Sequence, residues 1–192
     1  MKSALVQRAA ALFGGLAVVW AVSLYAFADP SALYLLALTP RRMDGLPGVI
    51  GMPFVHGSLW HLVANTLSLI PLAAIVLFRG VRYYLVTVAW IVVAGGLAVW
   101  LFGREAVHVG ASGLIFGLVG FLIVRGLYER AVTSLLVSLA VVLLYGGTIW
   151  GVLPQDDGVS WEAHLFGLIA GAATARVFVG RKARERAGDF DA

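Results

Sequence analysis

One serine, three histidines and one asparagine of this chain could do chemistry together. Ser112 lies between glycines in VHVGASGLIFGL, His56, His61 and Asn65 share the stretch HGSLWHLVAN, and His164 lies in AHLFGLIAG. A serine hydroxyl becomes a nucleophile when a base within hydrogen-bond reach accepts its proton. Acyl transfer also needs hydrogen-bond donors aimed at the developing oxyanion. The residue types therefore predict acyl-transfer chemistry if the fold brings them together.

The elements that must position these residues are six apolar segments. The chain has 192 residues, 61% of them hydrophobic and 12% charged, and its mean hydropathy is +0.94. A soluble domain is about a quarter charged, whereas a helix that crosses a bilayer needs about 17–25 mostly apolar residues. We therefore predict one all-α membrane domain over residues 1–192. Its six spans are predicted at about 9–28, 59–78, 83–102, 109–124, 132–150 and 162–179.

Basic residues fall mainly on one side of the predicted membrane. Eleven lysines and arginines lie near the termini or in the second-to-third and fourth-to-fifth connections, and three lie in the alternate connections. This bias predicts cytoplasmic N- and C-termini, and we expect a prokaryotic cytoplasmic membrane. The basic tail, residues 180–192, is interpreted as an anchor on the anionic lipid of the bilayer, so no nucleic-acid partner is expected.

The N-terminal third of the chain has two unusual segments. AFAD, residues 26–29, resembles a signal-peptidase site, but the apolar run before it is longer than the core of a signal peptide. We therefore expect a retained first span. Residues 29–58 are too apolar for a solvated loop and too rich in proline for a span. A first outer loop that lies partly in the membrane interface fits this composition.

The predicted depths of the polar residues agree. In the predicted orientation the second, fourth and sixth spans all run inward from the outer face. Asn65, Ser112 and His164 lie 14, 13 and 12 residues before the arginine at the end of their span, or about 18–21 Å from the cytoplasmic boundary. His61 lies one turn above Asn65 on the same helix face. No Asp or Glu lies in the spans at this depth, so the pattern favours a Ser–His dyad over a triad.

Small residues recur along the predicted fourth span. Gly110, Gly113, Gly117 and Gly120 are spaced by three or four residues, and such a stripe lets the backbones of membrane helices approach closely. We therefore expect this helix at the buried centre of the bundle. Helix packing alone would also explain Ser112, so GASG by itself leaves both interpretations open.

Three motifs resemble those of the rhomboid intramembrane serine proteases. That family carries H-x4-H-x3-N on the second span, G-x-S-G at the start of the fourth and A-H-x-x-G-x-x-x-G on the sixth. HGSLWHLVAN, GASG and AHLFGLIAG match these motifs in order, within about residues 52–172. The resemblance implies a six-helix rhomboid-like bundle that cleaves transmembrane or membrane-proximal segments of other membrane proteins, without metal or cofactor. It also implies an outer water-filled cavity under a mobile cap, with substrate entry near the second and fifth spans.

The resemblance also implies a role for each matching residue. Ser112 would be the nucleophile, His164 the general base, and His61 and Asn65 donors to the oxyanion together with the Ser112 backbone N–H. His56 would be a companion near the site. Further support near the site would come from Gly110, Gly113, Phe116, Gly167 and Gly171, the last two by packing the sixth span against the fourth.

The sequence departs from the family pattern at two places. Many rhomboids have a tyrosine four residues after the nucleophile, where its ring stacks on the catalytic histidine; this chain has Phe116. Phenylalanine keeps the stacking surface, so we expect the change to be tolerated. Many rhomboids also carry a Trp-Arg pair in the first loop, which is absent around LPGVIG, residues 46–51.

Several other interpretations compete with catalysis. Asn65 could serve only in interhelical hydrogen bonding. His56 and His61 are five residues apart, on different helix faces, and HExxH is absent, so no metal site is predicted. His108 is expected in a wet outer loop without a role, and Glu162 in solvent. The alternative function is a non-catalytic rhomboid-like protein that binds membrane helices, although inactive relatives typically lose the serine or the histidine. The sequence predicts no oligomeric state.

Overall fold

The computed structural model of the protein describes residues 2–154 and 158–188, with side chains for residues 3–154 and 158–179. Within these ranges the chain is helical. The α-helices are α1 (Lys2–Ala28), α2 (Pro30–Leu36), α3 (Gly48–Gly51), α4 (Leu59–Leu77), α5 (Val81–Phe102), α6 (Ser112–Glu129), α7 (Val132–Tyr145) and α8 (Trp161–Gly188). Two 3-10 segments, Met52–Phe54 and Gly146–Val152, follow α3 and α7.

Six of the described helices are long and apolar enough to cross a membrane. They cover Ser3–Ala28, Leu59–Leu77, Val81–Phe102, Ser112–Glu129, Val132–Val152 and Trp161–Val179. The fifth of these includes the 3-10 segment after α7. A helix satisfies its own backbone hydrogen bonds, which lipid cannot do, so apolar segments of this length fold as spans. The predicted all-α, six-span bundle is confirmed.

Helix α6 forms the centre of the bundle. In the apolar stretch of α6, 67% of the residues are buried. The corresponding share is 50% in α8 and 11% in the span that contains α7. Leu118, Phe121 and Leu122 are almost completely buried. A helix that is apolar all round can bury every face, and α6 packs against α4, α5, α7 and α8.

Glycines form the contact between α6 and α8. A Cβ atom on Gly167 would overlap the backbone of Gly113, and a Cβ atom on Gly171 would overlap the carbonyl group of Gly117. The two backbones therefore approach more closely than any side chain would allow, which is how small residues act in membrane bundles. This packing brings the start of α6 next to the first turns of α8.

Residues 29–58 fold into short elements instead of crossing the bundle. Leu38 exchanges two backbone hydrogen bonds with His108, at 3.0 and 2.8 Å. Trp100 of α5 donates from Nε1 to the Arg42 carbonyl group at 2.9 Å, and its own carbonyl group accepts from the Arg41 N–H at 2.9 Å. The segment is thereby tied to α5 and to the connection that leads into α6.

The fourth span begins and ends later than predicted. Gly110 has φ +107°, which is not helical, so α6 begins at Ser112. Arg125, which marks the end of the predicted span, is buried at 6% exposure. Its Nε lies 3.4 Å from the Glu129 carboxylate, which also pairs with Arg79 at 2.6 Å. Because the Glu129 carboxylate offsets the buried charge of Arg125, the helix continues a further turn beyond this residue.

Gly171→Ala is expected to destabilise the protein, although alanine favours a helix over glycine by about 1 kcal/mol. The added methyl group would overlap the Gly117 carbonyl group, and overpacking of a core costs roughly 1–3 kcal/mol. The measurement is the thermal unfolding midpoint in detergent. Gly14→Ala is the control, because nothing lies within 4 Å of its added Cβ atom. An unchanged midpoint for Gly171→Ala would contradict the tight contact.

Candidate active site

A cavity of about 670 Å³ lies between α4, α6, α8 and the 3-10 segment that follows α7. Ser112, His164, His61 and Asn65 all line it. The fold therefore brings together, from three helices, four of the five polar residues singled out in the sequence. Phe116 lines the same cavity.

The backbone turns sharply just before Ser112. Gly110 has φ +107°, a conformation that strongly favours glycine. A Cβ atom on Gly110 would lie 2.6 Å from Cε1 of His61 and 3.3 Å from Nδ2 of Asn65. Glycine therefore gives the polar side chains of α4 room to approach this backbone. Ser112 follows as the first residue of α6, where backbone N–H groups have no partner within the helix.

The Asn65 amide is a buried donor without an acceptor. The residue is 8% exposed, and within the described residues its Nδ2 atom has no hydrogen-bond partner. Interhelical hydrogen bonding, the competing interpretation of Asn65, would have satisfied this nitrogen.

The His164 ring is held from two directions. Its Nδ1 atom lies 2.8 Å from the carbonyl oxygen of Gly151. A carbonyl oxygen only accepts, so Nδ1 carries the proton and the ring lone pair is on Nε2. The Phe116 ring stacks on the imidazole, with centroids 4.2 Å apart and planes inclined by 10°. Gly151 lies in the 3-10 segment after α7, and no sequence motif indicates this contact, because its acceptor is a backbone atom.

Ser112 and His164 share the cavity without a direct hydrogen bond. Within the described part of the chain, the Ser112 hydroxyl group makes no hydrogen bond. Hydrogen bonds between catalytic groups are often long in the absence of substrate and shorten in the complex. Ser112 and His164 therefore line the same cavity from two helices.

His56 lies behind the cavity and is completely buried. Its Nδ1 atom is 2.9 Å from the Ser23 hydroxyl group, and its Nε2 atom accepts from the Ala111 N–H at 3.3 Å. Its ring also meets the His61 ring edge-on, at 5.0 Å between centroids. Burial lowers the pKa of His56 to about 4, with a smaller contribution from His61. Sequence reasoning missed Ser23, because a lone serine in an apolar helix gives no signal.

Two expectations about polar residues are wrong. His108 and Glu162 were expected in solvent, but each is only 1% exposed. His108 Nδ1 lies 2.6 Å from the Ser160 hydroxyl group, and burial lowers the pKa of this imidazole. The Glu162 carboxylate accepts from the Arg104 N–H at 3.2 Å and lies 3.5 Å from its guanidinium group. The connections before α6 and α8 fold together, so each polar residue finds its partner far along the chain.

Comparison with known proteins agrees with the class that the fold defines, a membrane protein with six spans in its described part. The Rhomboid domain family model matches residues 45–181, and the chain belongs to the rhomboid family. It is therefore an integral, multi-pass membrane protein. The resemblance drawn from the three motifs is confirmed for the family.

The chain is also similar to individual proteins. Uncharacterized proteins of Mycobacterium tuberculosis and Mycobacterium bovis are 38% identical to it over 180 residues, which cover 89% of this chain and 75% of each relative. RHOMBOID-like protein 1 of Arabidopsis thaliana is 30% identical over 139 residues, which cover 66% of this chain and 33% of that protein.

The stability of the protein is expected to fall as the pH decreases from about 6.5 to about 4. His56 has an ordinary pKa of 6.5 and a folded pKa of about 4, so in this range the unfolded chain binds a proton that the folded chain does not. Acidification therefore favours unfolding through His56, and the loss is complete below about pH 4. The measurement is the thermal midpoint at several pH values for wild type and His56→Gln. The thermal midpoint of the variant should change less with pH than that of wild type. An equal change in both proteins would contradict the assignment of this pH dependence to His56.

Proposed function

We propose that the protein is a serine endopeptidase that cleaves transmembrane or membrane-proximal segments of other membrane proteins, without metal or cofactor. The observation that carries this proposal is the shared cavity, in which Ser112, His164, His61 and Asn65 converge from α6, α8 and α4. Membership of the rhomboid family supports the same reaction class.

His164 is proposed to act as the general base. The Gly151 carbonyl group holds the proton on Nδ1, so Nε2 can accept the Ser112 proton while Oγ forms a bond with the substrate carbonyl carbon. The ring is then an imidazolium, and the Gly151 carbonyl group stabilises its Nδ1–H. This carbonyl group would orient the base as a carboxylate does in a triad. The stacked Phe116 ring restrains the same imidazole from its face.

The oxyanion of the tetrahedral intermediate is proposed to be bound from α4 and from the start of α6. Nδ2 of Asn65, which has no partner among the described residues, and the ring of His61 supply side-chain donors. The Ser112 backbone N–H lies in the first turn of α6, where the helix dipole is positive. Donors that are already in place when charge develops require no reorganisation, which is the basis of oxyanion stabilisation.

The same residues can complete the reaction. His164 donates its proton to the leaving amine, the peptide bond breaks, and an acyl group remains on Ser112. A water molecule then loses a proton to His164 and attacks the ester carbonyl carbon. The bond to Oγ breaks, His164 returns the proton to Ser112, and the second product leaves as a carboxylic acid. The cavity of about 670 Å³ has room for water, which occupies about 30 Å³ per molecule in the liquid.

The site is proposed to lie towards the outer face of a prokaryotic cytoplasmic membrane. The excess of basic residues near the termini and in the alternate connections favours cytoplasmic termini. In this orientation α6 and α8 begin on the outer side, and Ser112 and His164 lie near these beginnings. Substrates would therefore present their cleaved segment to the outer half of the bilayer.

Ser112→Ala and His164→Ala are each expected to abolish cleavage of a model transmembrane substrate in liposomes, because one removes the nucleophile and the other the base. Thermal midpoints should stay near wild type. A fluorophosphonate probe should label wild-type protein at Ser112 only. Cleavage by Ser112→Ala at the wild-type rate would refute the proposal. If the wild-type protein binds the substrate but does not cleave it, the protein is instead a non-catalytic rhomboid-like protein.

Asn65→Ala is expected to lower kcat by about 10–1000-fold, the range for loss of one oxyanion donor. Its thermal midpoint should not fall, because the Nδ2 atom has no partner to lose within the described residues. Steady-state kinetics and thermal unfolding of the same preparation test both parts. A lower midpoint with an unchanged kcat would instead support a packing role for Asn65.

A further inference from the structure

We propose that His56 is a positioning residue that connects the first helix to the loop presenting Ser112. The connection runs from the Ser23 hydroxyl group on α1, through the His56 ring, to the backbone N–H of Ala111. This inference rests on the proposed protease function, because the loop it holds is the one that carries the proposed nucleophile.

The hydrogen bonds of this connection have one consistent direction. Ser23 donates its single hydroxyl proton to the Phe54 carbonyl group at 2.9 Å. Its oxygen must therefore accept from Nδ1–H of His56, 2.9 Å away. With the proton on Nδ1, the Nε2 lone pair accepts the Ala111 N–H at 3.3 Å. Only the Nδ1–H form of a neutral imidazole satisfies all these contacts.

The Ala111 amide is the link to the reaction. Ala111 is the N-cap residue of α6, directly before Ser112, and no side-chain hydrogen bond caps the helix there. The position of the Ala111 peptide group therefore depends on hydrogen bonds from other segments. The adjacent Gly110 N–H donates to the Met52 carbonyl group at 2.8 Å. The His56 ring also meets the His61 ring edge-on, at 5.0 Å and 73°. One side chain therefore restrains both the nucleophile loop and a proposed oxyanion donor.

Burial makes this connection strong. Ser23 and His56 are completely buried and Ala111 is 2% exposed, so water does not compete for the hydrogen bonds. Burial, with a smaller effect of His61, also lowers the pKa of His56 to about 4. The ring thus stays neutral at physiological pH, which Nε2 needs in order to accept. Ser23 lies outside residues 45–181, the segment that the family model matches.

The test compares variants that remove the hydrogen bonds with one that retains them. His56→Phe keeps a ring but neither hydrogen bond, whereas His56→Gln has a donor and an acceptor on one flexible side chain. We expect His56→Phe to lower kcat roughly 100-fold, the effect of about 1 Å of misplacement, with KM almost unchanged. His56→Gln should recover most of this loss. Ser23→Ala should lower kcat by about 10-fold, since the ring remains but is no longer fixed.

The control for loss of a buried hydroxyl group is Thr87→Val. Thr87 is completely buried and donates to the Tyr83 carbonyl group of its own helix at 2.8 Å. This variant should keep the wild-type kcat. If Ser23→Ala and Thr87→Val lower kcat equally, or if His56→Phe raises KM and leaves kcat unchanged, the positioning role is refuted.

Two measurements do not depend on activity. Nitrogen-15 NMR of wild-type protein should show His56 protonated at Nδ1 and not at Nε2. Hydrogen exchange of the Ala111 amide should be at least 10-fold faster in His56→Phe than in wild type or His56→Gln. An Nε2–H ring or unchanged exchange would overturn the connection itself. If wild type has the predicted ring form and exchange but neither cleaves nor reacts with the probe, the protease function fails and the structural link stands.

Discussion

The contact between the backbones of α6 and α8 determines where the polar groups of this protein lie. The backbone around Gly113 and Gly117 leaves no space for a side chain on Gly167 or Gly171. In a membrane no hydrophobic force drives helices together, so close packing has to supply the attraction. Because both helices begin at the cavity, their close approach places Ser112 and His164 on its walls.

Among the described residues, the partners that fix the groups around the cavity are mostly neutral. A backbone carbonyl group orients His164, an aromatic ring covers it, and a buried neutral histidine holds the amide before Ser112. Charged partners at this depth would carry a large desolvation cost. Neutral groups avoid that cost, and their hydrogen bonds are stronger where water is excluded. Asn65 is the exception, since its Nδ2 has no partner among the described residues, which suits it to binding an anion.

Charged residues are buried at the two ends of the bundle, where each has an ionic partner. Glu162 pairs with Arg104 where the connections before α6 and α8 meet, and Arg125 pairs with Glu129 at the opposite end of α6. A buried carboxylate or guanidinium group is tolerated only when such a partner offsets its lost hydration. The pair of Glu162 with Arg104 joins segments that are distant in sequence, and Glu129 does the same through its second partner, Arg79. These pairs fix the beginning of α8 and the end of α6, and so limit how far the two helices can slide.

The six spans, the central position of the glycine-rich helix and the membership of the rhomboid family could all be predicted from the sequence. Hydropathy is decisive because lipid satisfies no backbone hydrogen bond, so a long apolar segment has to be a helix. The motifs around Ser112, His61, Asn65 and His164 also specify which side chains to look for. The partners of these side chains depended on the tertiary structure. The Gly151 carbonyl group has no side chain to recognise, Ser23 is an isolated residue in an apolar helix, and Glu162 finds Arg104 only after two distant connections meet. Residue type and spacing identify groups that can react, whereas their orientation and burial depend on contacts between segments far apart in the chain.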